Sequence, residues 1–136
     1  MTRAVIDPGV LVSALITPTG TPAKLLTTTR SGSFELIVSP LLLEELRLVL
    51  RRKKFRRYVD LDVVDQYVDL LRRDSAFADD PAGPPPIRCR DPDDDYLIAL
   101  AHDHAAALVS GDSHLLELAG KIPVFTPSEF LAAQDQ

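Results

Sequence analysis

The sequence predicts an α/β fold, a three-layer sandwich in which a central, mostly parallel sheet is flanked by helices. Two observations carry the prediction. Short apolar runs alternate with helical segments through most of the chain. Those runs are also continuously apolar, with no polar residue at every second position, as expected for strands buried on both faces of a parallel sheet. The length of 136 residues suffices for one core. No linker, internal repeat or low-complexity tail divides the chain, so residues 1–136 are expected to form one domain.

Each element has a local reason. "RAVID" is a short buried strand that ends on Asp7, and the pair Pro8-Gly9 is expected to turn the chain. "PAKLLTTTR" is a helix with Pro22 near its first turn. "SFELIVS", residues 33–39, is a second strand between Gly32 and Pro40. "PLLLEELRLVLRRKKF" is a helix opening on Pro40, and residues 60–74 form an amphipathic helix with an acidic start and a basic end. "DDPAGPPPIRCR", residues 79–90, breaks all periodicity and is a loop. Asp91-Pro92 opens a helix running to about His104. "AALVSGD" is a strand ending at Asp112, and Gly111 is expected to give the backbone room to turn. "SHLLELAG" is a brief helix, "IPVFT" a last strand and "PSEFLAAQ" a terminal helix.

Composition narrows the function. Apolar residues make up 46% and charged residues 26%, an ordinary globular balance. No apolar stretch approaches the ~20 residues that span a bilayer, and Asp7 interrupts the first apolar run before it resembles a signal segment. The expected location is cytoplasmic. The lone Cys89 forms no internal disulfide and reads as a bystander thiol in a loop. The net charge of −5 argues against nonspecific polyanion binding, but the charges are segregated. "RRKKFRR", residues 51–57, holds six cations in seven positions, while "DPDDD", residues 91–95, holds four acids in five.

The acids are the chemical signal. In open α/β sheets, chemistry gathers beyond the carboxyl ends of the strands. Asp7 and Asp112 both follow strands, so both fall at that edge, where each is either a functional acid or the cap of the next helix. On a helical wheel Glu45 falls among Leu41, Leu42, Leu48 and Val49, away from Glu44, Arg47 and Arg51. A carboxylate in an apolar arc must be paired, protonated or bound to a cation. In the "DPDDD" cluster Asp95 leads the inward side of the helix and is the first choice to face the sheet edge, with Asp94 the second. Acids converging on one edge raise one another's pKa unless a cation joins them. Hard divalent ions such as Mg²⁺ or Mn²⁺ take oxygen ligands and serve phosphodiester hydrolysis.

The basic run reads either as a solvated helix end or as a phosphate-gripping patch formed by Arg51, Arg52, Lys53, Lys54, Arg56 and Arg57, with Phe55 or Tyr58 able to stack on a base. His102, His104 and His114 read as surface or partly packed residues outside any constellation.

With those residues in view, the chain resembles the PIN-domain proteins, which include the VapC-type toxins of bacterial toxin–antitoxin pairs. "VIDPGVLVSAL", "SPLLLEELRLVLRRKKF", "RDPDDDYLIALA" and "LVSGDSHLLEL" resemble the segments carrying the family's four acids, in order and over nearly the whole chain. The resemblance implies a Mg²⁺- or Mn²⁺-dependent ribonuclease, often a homodimer held inactive by a small antitoxin protein. It implies catalytic and metal-binding roles for Asp7, Glu45, Asp95 and Asp112, with Asp94 close by and Ser110 at a nearby hydroxyl position. One motif departs: Asp7-Pro8-Gly9 stands where the family usually has Asp-Thr-Asn or Asp-Ser-Asn, so a hydroxyl and a side-chain amide are missing. A non-catalytic PIN-like module that binds RNA or a protein partner is the alternative.

Overall fold

Parallel strands require long crossovers, and the helices between them supply these. The computed structural model describes residues 2–134, so residues 1, 135 and 136 of the expected 1–136 domain lie outside the described part. The strands are β1 (Arg3–Ile6), β2 (Glu35–Val38), β3 (Ala76–Phe77), β4 (Ala107–Val109) and β5 (Val124–Phe125). They form one sheet in the order β3-β2-β1-β4-β5, with every pairing parallel. The helices are α1 (Pro8–Ile16), α2 (Thr21–Arg30), α3 (Pro40–Leu50), α4 (Leu61–Asp74), α5 (Asp95–Asp103), α6 (Ser113–Leu116) and α7 (Pro127–Gln134). Right-handed crossovers place α1–α4 on one face of the sheet and α5 on the other. Accordingly, α1 packs on α2 and α3, α3 packs on α4, and α5 packs on β1 and β4.

Three boundaries differ from the sequence reading. Pro8-Gly9 is not a turn: both residues belong to the first turn of α1, and the Asp7 carboxylate caps that helix by accepting from the Val10 amide at 2.9 Å. Proline at the first helical position gives up a donor that has no intrahelical partner anyway, so Pro8 costs the site nothing there. The α3 helix stops at Leu50 instead of running to Phe55, and Lys53–Phe55 forms a separate 3-10 turn. Pro92–Asp94 is also a 3-10 turn, and α5 starts only at Asp95. The edge strand β3 has no counterpart in the sequence reading, because two residues are too few to show a period.

Val5, Ile6, Leu36, Ile37, Val38, Leu108 and Val109 fill the sheet, and Leu42, Leu46 and Leu50 form the buried stripe of α3. The Tyr67 hydroxyl donates to the Leu11 carbonyl at 2.7 Å, which ties α4 to α1. Among the described residues no helix is long and apolar enough to cross a membrane.

The early stop of α3 recasts the basic run. The Arg56 guanidinium folds back onto the end of α3, where Nη2 donates to the Leu50 carbonyl and, at 3.4 Å, to the Arg52 carbonyl. A cation on the last carbonyls of a helix satisfies orphan acceptors and complements the dipole. Arg56 therefore leaves the set of free cations proposed from sequence. Arg51 approaches Asp65 on α4 at 3.8 Å, Lys54 lies over the Phe55 ring, and Arg57 lies over Tyr58 and donates to its hydroxyl. Arg52 and Lys53 are exposed and form no ion pair among the described residues. Arg56→Met is expected to lower stability by about 1–2 kcal/mol, measured by urea denaturation. An unchanged midpoint would show that the cap contributes nothing.

Candidate metal centre

The strand order decides which acids meet. From β1 the chain moves outward to β2 and β3, then returns to lay β4 on the other side of β1. The crevice beyond the carboxyl ends of β1 and β4 is thus the topological switch point of the sheet. Asp7 leaves β1 at this point and is only 2% exposed. Its amide donates to Val109 of β4 at 3.0 Å, which sets the two strand ends side by side. Its carboxylate accepts from the Val10 amide on one oxygen and from the Ser110 hydroxyl on the other. Ser110 Oγ in turn accepts from the Asp112 amide at 3.0 Å. One hydroxyl thereby locks Asp7 to the turn that carries Asp112. The Asp112 side chain caps nothing, although the residue stands at the start of α6.

Burial drives the Asp7 pKa up to about 6. The hydrogen bonds from Ser110 and Val10 oppose the rise, and the charges of Asp112 and Asp94 add to it. A Cβ at Gly9 would come within 3.2 Å of Asp7 Oδ1, so the small residue lets the helix start press against the acid. Gly111, by contrast, has no positive φ, and a Cβ there would meet open space. The expected backbone role for Gly111 is absent.

Glu45 reaches the same crevice from α3. The Tyr96 hydroxyl donates to its Oε1 at 3.1 Å. Burial raises its pKa, the Tyr96 bond lowers it, and Asp94, Asp7 and Asp93 raise it further. The apolar arc read around Glu45 is only partly buried: Leu42 is buried and Val49 packs against the core, but Leu41 is 44% and Leu48 58% exposed. Tyr96, which sequence reading did not select, supplies the partner. Its place two residues after Asp94, on the element facing the crevice, was the available signal.

The acid cluster is where the structure departs most from expectation. Asp95 is 7% exposed but turned to the preceding loop, where one oxygen accepts from Arg88 Nη1 at 3.1 Å and the other from the Cys89 amide at 3.0 Å. Burial pushes its pKa up, but the Cys89 hydrogen bonds and the Arg88 guanidinium outweigh that and hold it low. Asp94 takes the place expected of Asp95. It raises the pKa of both Asp7 and Glu45, and its own is raised by burial, lowered by His114 and raised again by Asp91 and Asp112. The reason is the 3-10 turn: about 3.0 residues per turn, instead of 3.6, moves each successive side chain further round. Cys89 is not a bystander either, since its amide anchors Asp95 and its thiol donates to the Asp91 carbonyl.

His114, read as a surface or partly packed residue, stands 2.6 Å from Asp94 Oδ2. The hydrogen bond to Asp94 raises the imidazole pKa, burial opposes this, and the surrounding carboxylates reinforce it. Ligand-type atoms of Asp91, Asp94 and His114 all lie within 4.8 Å of one another, a set able to hold a divalent cation. Placement two residues beyond Asp112 was the signal for His114. His102 and His104 lie at the far end of α5 and take no part.

These features define a parallel α/β protein with a clustered carboxylate and imidazole centre at its switch point. The chain belongs to the PIN domain family, whose model matches residues 3–114. The uncharacterized protein MJ1680 of Methanocaldococcus jannaschii is 29% identical over 143 aligned positions, covering 95% of this chain and 89% of that one. Among solved structures, VapBC2 from Rickettsia felis, bound to a DNA fragment from its promoter, is similar with a TM-score of 0.66 and 12% identity. That match covers 92% of this chain and 98% of the other. PAE2754 from Pyrobaculum aerophilum is similar with a TM-score of 0.65 and 13% identity, over 98% of this chain and 90% of that one.

Proposed function

We propose that this protein is a divalent-metal-dependent endoribonuclease in which Asp7, Glu45, Asp94 and Asp112 hold Mg²⁺ or Mn²⁺. The observation carrying the reading is the set of carboxylates drawn to one crevice, with a nearly buried Asp7 driven to about pKa 6 among them. Such a set is costly without a cation and well suited to one, because hard divalent ions take carboxylate oxygens. Asp95, bound to Arg88 and Cys89, is not proposed as a ligand. A bound ion supplies a more acidic water and neutralises charge on the leaving oxygen.

The chain's own groups do the rest. Ser110 ties the Asp7 carboxylate to the backbone of the turn that carries Asp112. Tyr96 holds Glu45 through Oε1, leaving Oε2 to accept a proton from the attacking water. The exposed Arg52 and Lys53 attract the phosphate backbone, with Arg51, Lys54 and Arg57 available at the cost of weak local contacts. The likeness to VapBC2, solved bound to promoter DNA, supports a protein partner; the small antitoxin, the homodimer and the cytoplasmic setting are what the family resemblance implies.

The test is cleavage of structured RNAs by purified protein with Mn²⁺ or Mg²⁺. Cleavage is expected to stop with EDTA and return with excess metal. The missing side chain at Gly9, which leaves no amide beside Asp7, favours the alternative of a non-catalytic PIN-like module. Metal-saturated, folded protein that binds RNA and cuts none would establish that alternative.

A further inference from the structure

The carboxylates are not one undifferentiated cluster. Asp7 and Asp112 are joined through Ser110, whereas Asp91, Asp94 and His114 form a separate compact focus. Asp94 links the two, since its charge acts on Asp7 and its Oδ2 meets the imidazole. Asp91 caps the 3-10 turn that ends on Asp94, and ligand atoms of the two lie within 4.8 Å of each other. One Asp91 oxygen accepts from the Asp93 amide, and the other has no hydrogen-bond partner among the described residues.

We infer that His114, with Asp94 and Asp91, makes the outer part of this centre a nitrogen-and-oxygen site that selects transition-metal ions over Mg²⁺. The inference rests on the metal-binding reading above and adds to it the identity of the ion. Oxygen-only sites suit Mg²⁺, which loses its water reluctantly and demands near-ideal octahedral geometry. Imidazole is a poor partner for Mg²⁺ and a good one for cobalt, nickel and zinc, whose affinities at N/O sites also exceed that of Mn²⁺.

The geometry requires little change. Two ligand atoms, each about 2.1 Å from one ion, stand about 3 Å apart. The 2.6 Å contact between His114 Nε2 and Asp94 Oδ2 therefore has to open by only a fraction of an ångström. Both side chains are largely covered, at 20% and 15% exposure, so neither has to be drawn in from solvent.

The experiment is titration of metal-free full-length protein with Co²⁺ and Mg²⁺ alone. Calorimetry reads affinity, and visible absorption reads the nitrogen donor on cobalt. Co²⁺ is expected to bind tighter than Mg²⁺, and His114→Asn to weaken Co²⁺ about 10–100-fold while leaving Mg²⁺ affinity nearly unchanged. The cobalt spectrum of that variant should lose its imidazole contribution. Asp7→Asn is the second variant and should keep the His114-dependent cobalt spectrum. Unchanged Co²⁺ affinity and spectrum in folded His114→Asn would overturn the inference and leave His114 as a hydrogen-bond partner of Asp94. An equal loss of Mg²⁺ and Co²⁺ would overturn it too, by showing that the imidazole only supports a carboxylate site. Absence of RNA cleavage would count against the nuclease reading alone, because the cobalt spectrum does not depend on turnover.

Discussion

Asp94→Asn is expected to abolish metal-dependent RNA cleavage and to weaken divalent-ion binding by more than about 100-fold, with the fold intact. Asp95→Asn is expected to do the reverse. Asp94 faces Asp7, Glu45 and His114, so its carboxylate is the one whose loss removes a ligand from the crevice. Asp95 faces the loop, and its two oxygens hold Arg88 and the Cys89 amide. Its neutral isostere weakens a charge-assisted contact and a backbone anchor, so the expected loss is about 1–3 kcal/mol of stability with metal affinity close to wild type. Paired thermal melts and Mn²⁺ calorimetry separate the two positions. Equal loss of metal binding in both folded variants would place Asp95 in the centre and contradict the loop assignment.

The second large effect is on stability. Asp7 has a carboxyl pKa of about 6 in the folded protein against an ordinary 3.8, with burial as the main cause. Between those values the folded state holds a proton that the unfolded chain has released. Stability of the metal-free protein therefore falls as pH rises through this window and levels off above about 6. The loss amounts to about 3 kcal/mol, at about 1.4 kcal/mol per pKa unit. Glu45 and Asp94 shift in the same direction and steepen the fall. Asp7→Asn removes the largest part of it, so in EDTA at pH 7 the variant should melt higher than wild type. Divalent metal should then stabilise the wild type far more than the variant, because an ion bound only by the folded state adds to its stability. Chemical denaturation at pH 4 and pH 7, with chelator and with Mn²⁺, gives the four numbers needed. A variant with the same pH slope as wild type would show that Asp7 carries no ionisation penalty.

Both effects follow from one economy: the centre is assembled at the expense of stability. The nearly buried Asp7, Glu45 and the largely covered Asp94 all have raised pKa values, and none of the three is held by an arginine or lysine. Strain of this kind concentrates at sites that bind or react, where it is offset by packing elsewhere.

The chain by itself determined the parallel α/β class, four of the five strands and the edge at which chemistry gathers, but neither the edge strand β3 nor the helix α1. Continuous apolar runs specify strands covered on both faces, prolines mark helix starts, and acids at strand ends can only lie at one edge of a parallel sheet. That argument puts Asp7 and Asp112 at one edge, and the helical wheel separately singles out Glu45. Tertiary structure decided what lies within a residue or two of a boundary. A 3-10 turn, not an α-turn, brings Asp94 to the crevice and gives Asp95 to the loop. A side chain folding back on α3 turned Arg56 from a free cation into a cap. Contacts between residues far apart in the chain, such as Tyr96 with Glu45 and His114 with Asp94, complete the centre. A single sequence carries periodicity, which resolves the face of a helix. Which of two adjacent carboxylates points inward depends on local winding and on the partner that captures each one, and both are settled only when the chain has folded.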